Sequence, residues 1–277
     1  MAADSSSGWV DCNFIIHPSI DFNDASIISF DLSMKNDQTS NLSFDNLSIK
    51  TEFSGFSVLH IDEKAASCWK PGDEILITSW LKNADMRLTA KIKSTTLGAI
   101  ILEENILITV QATEAADPDF AVEVARLSRQ VIFEAEADDL TREYKLGGHF
   151  IVYYTPELNQ MLQGVKLVNF GQQGELGRYP IHFHLSGSVA GSEVSKNVIY
   201  NSNQRCVVVH GTHDLDITDN VAFETSGHCF ITEDGIETGN TFTRNLGASV
   251  RKPVYVIEGE NDDSPSIFWI TNPQNTL

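Results

Sequence analysis

The chain of 277 residues is 42% hydrophobic and 21% charged, long enough to bury one large core or two smaller ones. Its 19 basic residues against 38 acidic ones give a net charge of −19, which argues against nucleic acid and anionic membrane as partners, because both need a basic surface. No apolar run approaches the ~18 residues of a membrane helix, so no membrane insertion is expected.

The N-terminal stretch "MAADSSSGWVDCNF" has neither the basic flank nor the apolar run of a secretion signal. Short β-branched and aromatic runs follow, broken by Asn, Gly, Asp and Ser: "ASIISFDLSM" (25–34), "NLSIKTEF" (46–53), "FSVLHID" (56–62), "DEILITSWL" (73–81), "LTAKIKS" (88–94) and "GAIILEENILITV" (98–110). Such runs predict strands, and Pro71–Gly72 predicts a turn leading into the buried strand of "WKPGDEILIT" (69–78). Residues 1–120 read as an N-terminal β module and 121–277 as a second domain, with the acidic "QATEAADPDFAVEVA" (111–125) as a connection or short helix. Sequons at Asn41 and Asn46 would take N-linked sugar in a secreted chain. Cys12, Cys68, Cys206 and Cys229 lack CxxC spacing, which argues against a zinc knuckle.

Beyond about residue 126 an internal repeat appears. An Asn follows an apolar strand in "VKLVNFG", "EVSKNVIYNS", "LDITDNVAFET", "NTFTRNLGAS" and "FWITNPQN", at Asn169, Asn197, Asn220, Asn245 and Asn272, with spacings of 28, 23, 25 and 27. A period in the twenties built from short strands predicts a solenoid. The β-branched content and scattered glycines exclude a helical repeat and predict an all-β, right-handed parallel β-helix, a pectin-lyase-like solenoid. In it each Asn tolerates a left-handed turn and passes hydrogen bonds from coil to coil.

With each Asn marking one register, residues at equal offsets stack about 4.8 Å apart. Cys206 and Cys229 then share a column, where they read as small core hydrophobes rather than a disulfide. Thirteen residues beyond successive Asn positions come His182, His210, Glu233 and Glu258. Two imidazoles and a carboxylate in one column, His182, His210 and Glu233, could share a divalent metal ion. The same groups could act as general acid and base, or form a hydrogen-bonded stack. His184 leaves the same strand face as His182 in "GRYPIHFHLSG" (177–187). Asp234 and Glu237 in "TEDGIETGN" read as turn formers or as acids, and Arg178 and Arg205 could neutralise a substrate carboxylate or pair with Glu175 or Glu224.

"GRYPIHFHLSG", then "NQRCVVVHGTHDLDITDNVAFETSGHCFITEDGIETGNTFTRNLG" (203–247) and "FWITNPQNT" (268–276), closely resemble the parallel β-helix region of the G8-domain proteins. That family includes the cell-migration-inducing hyaluronan-binding protein, its transmembrane hyaluronidase relative and fibrocystin-L. Upstream, "WKPGDEILIT", "VARLSRQVIF" and "GGHF" fit the same pattern. The resemblance implies an extracellular or cell-surface β-helix protein that binds, and in one branch depolymerises, a uronic-acid-containing polysaccharide such as hyaluronan. The fibrocystin branch implies instead a non-catalytic adhesion or receptor module. On the first reading Arg178 or Arg205 neutralises the uronate, and His182, His184 or His210 transfers protons. Glu233 or Asp234 holds a metal or acts as acid, and Glu233 with Glu258 would supply the carboxylate pair that hydrolysis needs.

Overall fold

The structure is a computed structural model that describes residues 34–36, 42–44, 49–51, 57–60, 63–78, 87–96, 98–104, 123–155 and 158–277. Cys12, the strand read over 25–33, the sequons at Asn41 and Asn46 and the acidic connection over 111–122 lie outside the described residues. The chain divides into two compact units, Met1–Ser128 and Arg129–Leu277.

In the first unit β1 (Met34–Asn36) and β2 (Leu42–Phe44) form an antiparallel pair. A six-stranded antiparallel sheet follows, built from β3 (Ile49–Thr51), β4 (Ser57–His60), β5 (Glu74–Ile77), β6 (Leu88–Thr96), β7 (Ala99–Leu102) and β8 (Val124–Arg126) in the order β3-β4-β7-β6-β5-β8. Helix α1 (Glu63–Cys68) precedes the Pro71–Gly72 turn, where Gly72 adopts a φ of 86° that only glycine takes without strain. The turn delivers β5 with Ile75, Leu76 and Ile77 fully buried, as its apolar run predicts.

The second unit is the parallel β-helix that the repeat predicts. It opens with β9 (Val131–Glu134) and α2 (Asp139–Tyr144), capped at its start by Asp138, whose Oδ1 accepts from the Thr141 amide at 2.7 Å. Then come β10 (Phe150–Val152), β11 (Met161–Gln163), β12 (Val165–Val168), β13 (Ile181–Ser188), β14 (Glu193–Ser195), β15 (Val198–Tyr200), β16 (Val207–His213) and β17 (Asp216–Thr218). The chain ends with β18 (Val221–Ser226), β19 (Phe230–Thr232), β20 (Thr241–Thr243), β21 (Leu246–Arg251) and β22 (Phe268–Trp269). Each coil contributes one strand to each of three parallel sheets: β10-β13-β16-β19-β22, β11-β14-β17-β20 and β9-β12-β15-β18-β21. Ile181, Phe183, Val207, Val209, Phe230, Val194, Ile217, Phe242, Ile199 and Ala222 belong to one buried cluster. Each large apolar side chain in it contributes roughly 1.5–3 kcal/mol by leaving water.

Asn197, Asn220 and Asn245 form the expected ladder. Asn197 Nδ2 donates to Asn220 Oδ1 at 3.1 Å, and Asn220 Nδ2 to Asn245 Oδ1 at 2.9 Å. The left-handed residue of each corner is the one before the Asn: Lys196, Asp219 and Arg244, with φ near 58°, 58° and 54°. The two outer members of the predicted series stand elsewhere. Gly164, at φ 68°, precedes β12 where Asn197 precedes β15, and Asn169 sits at the far end of β12, accepting from Asn201 Nδ2 at 2.7 Å. At the other corner Asn240 Nδ2 donates to Asn275 Oδ1 at 3.0 Å, so Asn275 rather than Asn272 carries a coil contact of this kind.

Cys206 and Cys229 form a disulfide between adjacent coils, against the expectation of two packed thiols. Both lie at the strand entries, where paired coils bring their Cα atoms to 4.4 Å, inside bonding range. Among the described residues no cysteine is free, and no helix is long and apolar enough to cross a membrane.

Candidate functional site

Strand alternation sends Ile181 and Phe183 into the coil and His182 and His184 out of it. The register then decides which groups stack. His182 pairs with Val208 and Val208 with Ile231, whereas His184 pairs with His210. Continued by one residue at each end, the second column reads Tyr153, His184, His210, Glu233. The predicted column of His182, His210 and Glu233 is therefore corrected: His184 lies under His210, and His182 stands two residues earlier on the same strand, over Val208. The offset fails because Asn169 is not a ladder residue and because the loop over 171–180 lengthens that coil. Glu258 leaves the column altogether, since it is an exposed turn residue in the long loop between β21 and β22. It therefore supplies no second carboxylate to Glu233.

The three imidazoles nevertheless meet. The His184 and His210 rings are 4.8 Å apart, those of His182 and His184 4.9 Å, and His210 Nδ1 approaches His184 Nδ1 at 3.1 Å. One nitrogen from each of His182, His184 and His210 falls within 4.8 Å of the others, a separation over which a metal ion could be shared. His182 is 1% exposed despite facing outward, because the Tyr179 ring covers it at 4.9 Å. Burial pushes its pKa down to about 3, although the bond from Nδ1 to the Gly177 carbonyl at 3.1 Å works the other way. Burial, followed by the neighbouring His210, also lowers His184.

His210 is held between acids. Its Nε2 lies 2.9 Å from Asp234 Oδ2 and its Nδ1 3.4 Å from Glu233 Oε2. Glu233 is fixed in turn through Oε1, which accepts from Tyr179 Oη at 2.9 Å and Arg205 Nη1 at 2.8 Å. Arg205 also binds Glu260 (3.0 Å) and Asp262 (3.1 Å), so three carboxylates surround a guanidinium that is 1% exposed. Burial disfavours its charge, but Tyr179 and Asp262 outweigh that cost and raise its pKa. Tyr179 is raised too, by burial and by Glu233. Arg205 thus neutralises the protein's own acids, which corrects its expected role toward a substrate carboxylate and its pairing with Glu224. Glu224 pairs with Arg251 at 2.8 Å.

Arg178 is exposed, and its guanidinium meets His149 Nε2 at 3.1 Å. Burial and then the Arg178 charge lower the pKa of His149. Glu237 is a buried anchor: its Oε1 accepts from the Gly211 amide at 2.9 Å and the Asp234 amide at 3.1 Å, fixing the backbone beside His210 and Asp234.

Several of these groups escape the sequence reading. The loop between β21 and β22 brings Ile257 against Tyr179, Val208 and Ile231, and delivers Glu260 and Asp262 to Arg205. Gln173 holds that loop by accepting from the Val254 and Tyr255 amides at 2.8 and 3.0 Å. The length of the loop, which carries no repeat signal between 252 and 266, was the one available hint. Tyr153, 59% exposed, stands 5.6 Å from the His184 ring.

Residues 145–277 match the family described as CEMIP beta-helix. The chain is 32% identical to protein rliB of Dictyostelium discoideum over 250 residues, covering 82% of this chain and 21% of that protein. It is 30% identical to the human cell migration-inducing and hyaluronan-binding protein over 264 residues, covering 80% and 19%. Against human cell surface hyaluronidase CEMIP2 the identity is 29% over 252 residues, covering 76% and 18%. The chain spans about a fifth of the length of these curated relatives. With its parallel β-helix and these matches, residues 145–277 are a CEMIP beta-helix region, in a chain similar to G8-domain and CEMIP proteins over about four fifths of its length.

Proposed function

We propose that this chain is an extracellular polysaccharide-directed domain that binds a uronic-acid-containing glycan such as hyaluronan across the outer face of the β10-β13-β16-β19-β22 sheet and cleaves it there. One observation carries the reading: His210, gripped at Nε2 by Asp234 and facing His184 and Glu233 through Nδ1, forms a proton-transfer unit on the outer face of a sheet. The rungs from Tyr153 to Glu233 extend over about 14 Å at 4.8 Å per rung, a length suited to an extended chain. Exposed Tyr153 and Tyr154 offer flat faces to sugar rings. Exposed Arg178 offers a cation to a uronate. The Cys206–Cys229 disulfide fits an oxidising compartment, and two relatives are named for hyaluronan binding or hyaluronidase activity.

A binding module without cleavage is the second reading, favoured by Arg205, whose burial among three carboxylates removes one cation from the substrate's reach. Incubation with high-molecular-weight hyaluronan, followed by chain length on sizing gels and by binding calorimetry, separates the two. Shortening that is lost in His210→Ala supports cleavage. Binding without shortening supports the second reading, and neither would overturn both.

A further inference from the structure

We propose that His182, His184 and His210 form a three-histidine site for one divalent transition-metal ion of borderline softness, with Glu233 beside its fourth position. Their ligand nitrogens lie within 4.8 Å of one another. The nearest pair, Nδ1 of His184 and Nδ1 of His210, is 3.1 Å apart. Two nitrogens on a tetrahedral ion with bonds of about 2.0–2.1 Å would stand roughly 3.3 Å apart, so this pair needs little movement to bind.

Two further observations point to a ligand. First, His182 Nε2 is buried and has no hydrogen-bond partner, in a residue 1% exposed. An orphaned buried polar atom is costly, and a shared hydrogen between His184 and His210 would leave it orphaned still. An ion accounts for all three rings together. Second, in two of the three rings the nitrogen not needed for metal is already engaged. His182 Nδ1 donates to the Gly177 carbonyl at 3.1 Å, and His210 Nε2 faces Asp234 Oδ2 at 2.9 Å. Histidine ligands are characteristically oriented this way through their second nitrogen, by a carbonyl or a carboxylate. That leaves Nε2 of His182 and Nδ1 of His210 as the lone pairs.

Glu233 Oε2 is 3.4 Å from that same Nδ1, while its Oε1 is held by Tyr179 and Arg205. A three-imidazole set suits zinc, cobalt, nickel or copper rather than calcium or magnesium, which take oxygen ligands. Metal uptake is measured without polysaccharide and so stands or falls separately from the glycan reading; in the metal-loaded protein His210 Nδ1 is a ligand and no longer the proton carrier of that reading.

The test is titration of chelator-stripped protein with Co2+ and with Zn2+, following cobalt absorption, metal content and thermal midpoint. One ion per chain is expected, with a tetrahedral-type cobalt spectrum and a midpoint raised by Zn2+. His184→Gln, at a half-buried position, should weaken Zn2+ at least 100-fold, and Asp234→Asn about 10–100-fold. The metal-free melting of each variant checks its folding. Absence of binding at micromolar Zn2+ would overturn the proposal, as would binding unchanged in a folded His184→Gln or uptake of Ca2+ in preference to Zn2+.

Discussion

Arg205 and Asp262, 57 residues apart in sequence, meet in a buried ion pair with Nε donating to Oδ1 at 3.1 Å. Asp262 arrives on the long loop between β21 and β22, so this contact fastens that loop to the outer face of the coil beside the imidazole cluster. Arg205→Met would leave the fully buried Asp262 and the nearly buried Glu233 without their counter-ion. Breaking a buried pair from one side costs about 3–5 kcal/mol, and urea unfolding of the variant should show a loss of that order. A variant as stable as the parent would mean that the cluster contributes no net stability.

Asn220 links three coils. Its Oδ1 accepts from the Asn197 amide and side chain, and its Nδ2 donates to the Val194 carbonyl and to Asn245. Asn220→Ala strands buried donors and acceptors and should cost about 2–4 kcal/mol, given about 1–3 kcal/mol for each unsatisfied group. Asn272→Ala, on a partly buried residue outside the ladder, should cost under about 1 kcal/mol. Paired thermal melts of the two variants check the contrast.

The Cys206–Cys229 bond closes a loop with a sequence separation of 23. Replacing both residues with alanine should remove roughly 3 kcal/mol, on the loop-entropy scale. Both cysteines are tied up in the disulfide and fully buried, so neither should react with a thiol alkylating agent in the unreduced protein, and burial should shield the bond from reductant until the protein is denatured. Mass spectrometry should find alkylation only after denaturation with reductant.

His182 imposes a direction on the pH dependence. Its folded pKa, about 3, lies below the ordinary 6.5, so the folded state holds the ring neutral. The stability this provides is complete above pH 6.5 and is lost as pH falls from 6.5 toward 3. The slope is at most about 1.4 kcal/mol per pH unit. Urea midpoints of metal-free protein between pH 7.5 and 4.5 should therefore decline, and His182→Asn should flatten the decline. Equal slopes in the two proteins would assign the acid sensitivity to other groups.

The β-helix is legible in the sequence because its signal is local. Apolar alternation within short runs, and an Asn directly after the left-handed residue of each corner, need no knowledge of distant contacts. Asn197, Asn220 and Asn245 show this, since coils of 23 and 25 residues keep the ladder in step. The three imidazoles, Glu233 and Asp234 could be named from the same passages, whereas Glu260 and Asp262, on the loop over 252–266, could not. Nor could their partners. Asn169 looks like a ladder member in sequence but lies at the wrong end of its strand, which displaces the predicted histidine column by two residues onto His182.

Composition, repeat and motif by themselves determined the all-β class, the parallel coil and the polar groups gathered around "GRYPIHFHLSG". Only the tertiary structure decided that His184 stacks on His210, that Cys206 bonds Cys229, and that Arg205 turns inward to Glu233, Glu260 and Asp262. The physical reason is that sheet register follows hydrogen-bonded pairing from strand to strand. Loops such as 171–180 and 252–266 add residues to a coil without altering that pairing, so a count along the chain drifts away from the column it is meant to follow.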